Sequence, residues 1–180
     1  FALRTRVRIE AEGTAERAVI SCHGGSRRAP QREKKNAVSS RRLSRRRPDA
    51  PRGRGRPDGS LHSITPIQVA AQTLAALRDR TSLDTSQVDD VVLGCVMQVG
   101  EQAVNVARNA VLAAGWPDTV PGTTVDRQCG SSQQAAHFGA QGVMAGAYDI
   151  VVACGVEVMT RVPMGSSMAE GKYGFPFGPA

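Results

Sequence analysis

The sequence predicts an α/β protein whose strands form a mostly parallel sheet. Short apolar runs of the kind found in buried strands alternate with segments whose apolar residues recur at helical spacing. Each helical segment is long enough to lead the chain back across a sheet, which is typical of right-handed βαβ units. We therefore expect βαβ layers over residues 52–180, preceded by a segment of different character over residues 1–51.

The first elements of this pattern are a helix at 64–80 and a strand at 88–96. The helix has Thr65 as its expected N-cap and Pro66 at its first position, where the missing N–H of proline costs little. Its apolar residues lie on one face. The strand is centred on the apolar run Val91-Val92-Leu93 and is expected to be buried.

The later elements repeat this alternation. A second helix is expected at 103–114, because Gly115 follows it in the position of a helix-ending glycine. Three further elements follow in order: a short strand rich in Thr and Val at 122–128, a helix of small residues at 130–145, and a buried strand at 150–153. The residues after Pro163 are rich in Gly, Pro and Met and predict a loop.

The basic character of the chain belongs to its first third. Residues 1–60 carry 17 Lys and Arg against 6 Asp and Glu, whereas residues 61–180 carry 6 against 10. Low apolar content with like-charge runs predicts disorder over residues 1–51. A nucleic-acid-binding arm is the alternative, but the segment lacks the interleaved aromatic residues that such arms use, so we expect no nucleic-acid partner.

The cysteine pattern indicates neither metal binding nor disulfides. Cys22, Cys95, Cys129 and Cys154 form no Cys-x-x-Cys pair, and no histidine stands at metal-ligand spacing. Cys95 and Cys154 lie in apolar runs and are interpreted as buried packing residues. Free cysteines suit a reducing cytoplasm, and no apolar stretch is long enough to cross a membrane, so a cytoplasmic protein without a membrane partner is expected.

Cys129 stands where a β-prone stretch stops and a helix of small residues begins. Orphan N–H groups at a helix start favour a thiolate, which is the nucleophile in covalent catalysis by cysteine. Position alone leaves a buried structural cysteine open as the alternative. Gly130 likewise has two interpretations, a close backbone approach that a Cβ would block and ordinary helix-start geometry.

Several ordered blocks around Cys129 carry a family resemblance. They are Cys129-Gly130-Ser131, Met144-Ala145-Gly146, the run 149–164 and the run 100–108. Together they resemble the nucleophile region of the thiolases, the acetyl-CoA acetyltransferase and 3-ketoacyl-CoA thiolase family. Thr160 stands where this family usually has Ser, and Cys154 where it usually has Gly or Ala.

The resemblance implies an acyltransferase that moves acyl groups between coenzyme A thioesters, by 3-ketoacyl-CoA thiolysis or by acetyl-CoA condensation. Cys129 would carry the acyl group as a thioester, and its backbone N–H would be one donor to the thioester oxygen. Coenzyme A and acyl-CoA are then substrates, and no permanently bound cofactor is expected. The intact family implies a homo-oligomer, either a dimer or a tetramer.

A general base is not evident among the histidines, His23, His62 and His137. His137 lies eight residues beyond Cys129, which is about 12 Å along a helix and too far to share a proton. In the family, the activating histidine and a second cysteine belong to the other half of the protein. We therefore expect this chain to be the family's first half only and incomplete, to fold poorly, and to turn over negligibly alone.

The family's first half opens with a hydrophobic strand that ends in a motif like Asp-Ala-Val-Arg-Thr-Pro, and this strand is expected to be missing here. Read one base later, codons for residues 45–50 can encode that motif. We therefore hypothesise that residues 1 to about 51 are an out-of-frame translation.

Three polar residues of the resembling blocks have expected roles outside the chemistry. Glu157 is interpreted as the acceptor of structural hydrogen bonds, and Arg108 as part of a solvated face. Asn105 and Arg108 lie in a block that the family associates with subunit contacts. Two functional alternatives remain: a ketoacyl-synthase-like condensing enzyme with the same nucleophile, and a non-catalytic thiolase-like binding protein that would not need Cys129.

Overall fold

Four parallel strands form one sheet in this computed structural model, which describes residues 18–21 and 55–178. The strands are β1 (Ala18–Ser21), β2 (Asp90–Gly94), β3 (Gly122–Val125) and β4 (Ile150–Gly155). They lie in the order β1-β4-β2-β3, and each neighbouring pair is parallel. The predicted α/β class with a mostly parallel sheet is confirmed.

The helices connect the strands and cover both faces of the sheet. They are α1 (Pro66–Thr81), α2 (Val106–Ala113) and α3 (Ser131–Ala145). Short 3₁₀ turns at Thr85–Gln87, Gly100–Gln102 and Ser166–Gly171 lie in the connections. Because β2 and β4 are covered on both faces, their sequences are continuous apolar runs rather than alternating ones.

The core consists of two clusters, one on each face of the sheet. On one face, α1 and α2 pack against inward side chains of β2 and β4 such as Leu93 and Val152. On the other face, α3 packs against a smaller cluster that includes Val92 and Val151. Neighbouring residues of one strand thus face opposite helices, and among the helices of the described residues only α3 lies on its side of the sheet.

The predicted start of the first helix is confirmed. Thr65 is the N-cap of α1, its side chain accepts a hydrogen bond from the N–H of Gln68, and the Gln68 side chain accepts one from the N–H of Thr65. Pro66 occupies the first helical position. This reciprocal capping box satisfies two of the N–H groups that a helix start leaves free.

The expected disorder of residues 1–51 and the expected absence of the hydrophobic strand before residue 52 stay predictions, because the structure describes only the strand β1 of this segment. In β1, Ala18 pairs with Ile150 and Ser21 with Ala153 in parallel register. A β-prone apolar run and the otherwise open edge of β4 account for this pairing. The rest of the segment, with Cys22 and His23, lies outside the described residues, so the out-of-frame hypothesis stays a prediction.

The second helix begins later than its sequence pattern predicts. Val104 and Asn105 both have positive φ angles, and the Asn105 side chain accepts a hydrogen bond from the N–H of Arg108, so that α2 starts at Val106. Likewise β3 ends at Val125, short of the predicted residue 128, because the chain turns sharply before α3.

Within the described residues, no helix is both long and apolar enough to span a bilayer. The surface of this part nevertheless carries large apolar side chains that are more than two-fifths exposed: Val104, Leu112, Phe138, Met144, Met159, Met164, Tyr173, Phe175 and Phe177.

Candidate functional site

Cys129 lies exposed on the turn that joins β3 to α3. The helix begins at Ser131, and Gly130 is its N-cap. The predicted strand-to-helix junction at Cys129 is therefore confirmed. Exposure removes the alternative that this thiol is a buried packing residue.

The backbone of Cys129 is strained. Its φ angle is +58°, in the left-handed region that non-glycine residues rarely adopt. Such a conformation costs about 1–3 kcal/mol and persists only when the surrounding structure over-determines it. Two hydrogen bonds close the turn around Cys129: the N–H of Gly130 donates to the Arg127 carbonyl at 2.8 Å, and the N–H of Arg127 donates to the Ser131 Oγ at 3.0 Å.

The start of α3 rests on two glycines at the carboxyl ends of neighbouring strands. A Cβ on Gly94 of β2 would overlap backbone atoms of Ser131 and Ser132, and a Cβ on Gly155 of β4 would overlap the Ser132 side chain. A Cβ on Gly130, by contrast, would meet nothing closer than the Arg127 carbonyl oxygen at 3.5 Å. The close backbone approach therefore belongs to Gly94 and Gly155, and Gly130 has ordinary helix-start geometry.

The electrostatics at the helix start favour a negative charge beside Cys129. Gly130 makes no side-chain capping bond, and the first turn of α3 contains no acidic residue. The first N–H groups of this 15-residue helix thus lack a capping side chain. The partial positive charges of these N–H groups, which form the positive end of the helix dipole, therefore lie at the turn that carries the thiol.

The other two described cysteines are buried, whereas Cys129 is exposed. Cys95 is 1 % exposed and Cys154 is 5 % exposed, and both belong to the cluster under α1 and α2. Burial raises the pKa of the Cys95 thiol to about 12, with smaller contributions from the Glu157 and Asp126 carboxylates. Their interpretation as packing residues is confirmed.

Glu157 joins the loops that follow β2 and β4. Its carboxylate accepts hydrogen bonds from the N–H groups of Val96 at 2.7 Å and Met97 at 3.2 Å. It also accepts one at 3.0 Å from the fully buried Gln102 side chain, which in turn accepts the N–H of Val158. The expectation that Glu157 makes structural hydrogen bonds is confirmed.

Arg108 corrects the expectation of a solvated face. Its guanidinium donates to the carbonyl oxygens of Val120 at 2.6 Å and Asp118 at 2.8 Å. Asn105 donates from its side chain to the Gly122 carbonyl at 2.7 Å. Arg108 therefore joins α2 to the connection before β3, and Asn105 joins the start of α2 to β3 itself.

Neither of the described histidines makes a hydrogen bond to the Cys129 thiol. A ring nitrogen of His62 lies 3.1 Å from the Gly55 carbonyl oxygen, in the segment before α1. His137 is exposed on α3, beyond its first turn. Between residues 55 and 178, no group of three or more His, Cys, Asp or Glu side chains is arranged to hold a metal ion.

An exposed ion pair ties the loop after β4 to the 3₁₀ turn before α2. Arg161 binds Glu101 through two of its nitrogens and donates a third bond to the His62 carbonyl. The hydrogen bond from Arg161 holds the pKa of the Glu101 carboxyl below its usual value.

We expect the stabilisation from this pair to disappear in acid. Because the pKa of Glu101 is depressed in the folded state, its contribution is present above the unfolded pKa and is lost as the pH falls through the folded pKa. Glu101→Gln should thus be slightly less stable than the unmodified chain near pH 7, and the difference should shrink as the pH falls below the usual pKa of a glutamate. Urea unfolding of both proteins across this range measures the difference, and a difference that stays constant with pH would contradict the assignment.

The sequence of this chain matches a known protein family over more than half of its length. The model of the thiolase N-terminal domain matches residues 51–174. That range contains the turn of Cys129, both supporting glycines and the Glu157 network.

Individual relatives show the same likeness. A steroid 3-ketoacyl-CoA thiolase of Mycobacterium tuberculosis, FadA6, is 51 % identical over 122 residues, which are 67 % of this chain and 30 % of that protein. A 3-ketoacyl-CoA thiolase of Saccharophagus degradans is 44 % identical over 115 residues, 63 % of this chain and 29 % of the relative. This chain thus spans about three-tenths of the length of these relatives.

A solved structure is also similar. The crystal structure of the Bacillus anthracis acetyl-CoA acetyltransferase matches 57 % of this chain and 26 % of its own, with 42 % sequence identity and a TM-score of 0.53.

Three residues that support the start of α3 or join the loops after β2 and β4 received no role from the sequence: Gly94, Gly155 and Gln102. Ser131 appeared there only as part of the Cys129-Gly130-Ser131 block. A signal existed for the two glycines, because each ends an apolar strand and glycine there often marks a close backbone approach. No comparable signal marks Gln102, whose partners lie as far as 56 residues away in sequence.

Proposed function

Because this chain belongs to the thiolase family, we propose that it serves an acyltransferase that moves acyl groups between coenzyme A thioesters through a Cys129 acyl-enzyme. The observation that carries the proposal is the exposed thiol of Cys129, held in a left-handed backbone conformation at the uncapped start of α3. The similar proteins from Mycobacterium tuberculosis and Saccharophagus degradans are 3-ketoacyl-CoA thiolases, which supports this substrate class.

In the thiolysis direction, the Cys129 thiolate attacks the 3-keto carbon of a 3-ketoacyl-CoA. A bond forms between sulfur and that carbon, the bond between C2 and C3 breaks, and the released carbanion takes the proton that left the thiol, giving acetyl-CoA. The thiol of coenzyme A then attacks the acyl-enzyme, and its proton returns to Cys129 as acyl-CoA leaves. Condensation runs through the same acyl-enzyme in reverse.

The turn supplies two of the requirements of this chemistry. The uncapped N–H groups at the start of α3 place positive partial charge at the turn where negative charge develops during the reaction. The N–H of Cys129 is our candidate donor to the oxygen that becomes negative during attack on the carbonyl. A proton acceptor is also required, and neither His62 nor His137 is placed to serve Cys129. We therefore expect the 180-residue chain to show thiol reactivity with negligible turnover.

Alkylation by iodoacetamide near pH 7 tests the nucleophile. We expect Cys129 to react about two- to fivefold faster than N-acetylcysteine, the factor that a helix N-terminus supplies. The buried Cys95 and Cys154 should react far more slowly. Peptide mass spectrometry reports each cysteine separately, and incubation with acetyl-CoA should place an acetyl thioester on the Cys129 peptide.

Cys129→Ser is the control, since it keeps the size of the side chain and removes the thiol. It should abolish both modifications at this peptide without exposing Cys95 or Cys154. If Cys129 reacts no faster than N-acetylcysteine, the proposal of an activated nucleophile is wrong for this chain.

A further inference from the structure

The left-handed conformation of Cys129 needs a restraint, and the structure shows where it lies. Arg127 and Gly130 form the base of the turn through the bond between the Gly130 N–H and the Arg127 carbonyl at 2.8 Å. The N–H of Arg127 donates to a side chain, the Oγ of Ser131 at 3.0 Å. Both polar groups of the Arg127 backbone are thus bonded to residues on the far side of Cys129.

We propose that Ser131 is a positioning residue for Cys129, whose side-chain oxygen closes the turn that keeps the thiol at the head of α3. The catalytic meaning of this role rests on the proposed function of Cys129. The structural claim, that Ser131 holds the turn, is separate and can be tested by itself.

Burial makes this hydrogen bond effective. Ser131 is 6 % exposed, so water has little access to its oxygen to replace the Arg127 N–H. Removing the oxygen would leave a partly buried N–H without its partner, and such a group is costly to leave unbonded. Relaxation of the turn would then bring the N–H of Arg127 to water and release Cys129 from its strained conformation.

The backbone of Ser131 is held in place by the sheet, so Ser131 does not move when the turn of Cys129 moves. The peptide that joins Ser131 to Ser132 lies directly on Gly94, at the end of β2. β2 is a central strand, paired on one side with β3 and on the other with β4. The restraint therefore runs from the sheet through Gly94 and Ser131 to Arg127, and from there to Cys129.

Ser132 is the matched comparison. It is the adjacent serine of the same helix turn, but its Oγ lies over Gly155 rather than at the Arg127 N–H. Ser132→Ala removes the same atom as Ser131→Ala and leaves the closing bond in place. Ser131→Thr keeps the hydroxyl and should retain the turn.

The experiment measures two properties of the unmodified chain and of these three variants. Hydrogen exchange followed by mass spectrometry or NMR reports the protection of the Arg127 amide. Alkylation by iodoacetamide near pH 7 reports the reactivity of Cys129, with Cys95 and Cys154 as internal reporters of the intact core. In Ser131→Ala we expect roughly fivefold faster exchange at Arg127, the factor that corresponds to one hydrogen bond, and a Cys129 rate that falls to about that of N-acetylcysteine.

Ser132→Ala and Ser131→Thr should resemble the unmodified chain in both measurements. Unchanged exchange at Arg127 in Ser131→Ala would overturn the proposal, as would an unchanged Cys129 rate. Loss of protection at Cys95 and Cys154 in Ser131→Ala would also overturn it, because Ser131 would then stabilise the whole domain rather than the turn. If Cys129 of the unmodified chain is no more reactive than N-acetylcysteine while Ser131→Ala still accelerates exchange at Arg127, the turn restraint stands and the proposed function fails.

Discussion

Gly94→Ala is expected to destabilise the chain by about 3 kcal/mol and to remove the enhanced reactivity of Cys129. The reason is overpacking against backbone atoms, which cannot move aside as a flexible side chain can. The new Cβ would overlap the peptide between Ser131 and Ser132. Neither side can yield easily, since β2 is a central strand and α3 is packed along the same face of the sheet. The first turn of α3 must then move away from the sheet, and the turn of Cys129 moves with it.

The measurement is urea unfolding combined with the alkylation rate of Cys129. A lower midpoint with an unchanged denaturant slope identifies a loss of stability in the folded state. Gly130→Ala is the matched control, because it is adjacent to Cys129, has a φ of −125° and has room for a Cβ. Alanine is a poorer N-cap than glycine, so we expect the control to lose less than about 1 kcal/mol. Equal losses in the two variants would show that the close approach at Gly94 does not position α3.

Glu157→Leu is expected to cost about 3 kcal/mol through the hydrogen bonds that its carboxylate accepts. The N–H groups of Val96 and Met97 would lose their acceptor, and the Gln102 amide would keep only the Met97 carbonyl. Because Gln102 is fully buried, water cannot easily replace the carboxylate there. The loops after β2 and β4 should then separate at the edge of the sheet where Gly94 and Gly155 support α3.

Glu157→Gln provides a graded comparison. It keeps one acceptor oxygen but presents an NH₂ group to one of the two backbone donors, so its loss of stability should fall between those of the unmodified chain and Glu157→Leu. Hydrogen exchange at Val96 and Met97 locates the effect. Full stability of Glu157→Leu, or unchanged exchange at these two amides, would contradict a structural role for the carboxylate.

Local sequence signals predicted the elements well where the deciding interactions lie within a few residues. Thr65 and Pro66 predicted the start of α1, because a capping box and a first-turn proline act on their own helix. The boundaries of α2 and β3 were predicted less well. The start of α2 depends on its N-cap Asn105, whose side chain also bonds to Gly122 in β3, and the end of β3 depends on the turn that closes through Ser131.

Some features of Cys129 were predicted from the sequence, and others became evident only in the structure. Its place between a β-prone stretch and a helix of small residues, and its family resemblance, followed from the sequence. Its exposure, its left-handed conformation and the bond from Arg127 to Ser131 became evident only in the folded chain. A residue type and a position can suggest a nucleophile, but its backbone strain depends on what surrounds it.

The sequence by itself determined the fold class, the order of helices and strands, and the family to which the chain belongs. Periodicity, caps and ordered motifs involve residues that are close together along the chain, so they can be recognised in the sequence. The tertiary structure alone decided that Gly94 and Gly155 support the start of α3, that Gln102 and Glu157 join two loops, and that β1 completes the edge of β4. These contacts join residues that are far apart in sequence. A local sequence pattern does not predict which distant segment packs against a given glycine.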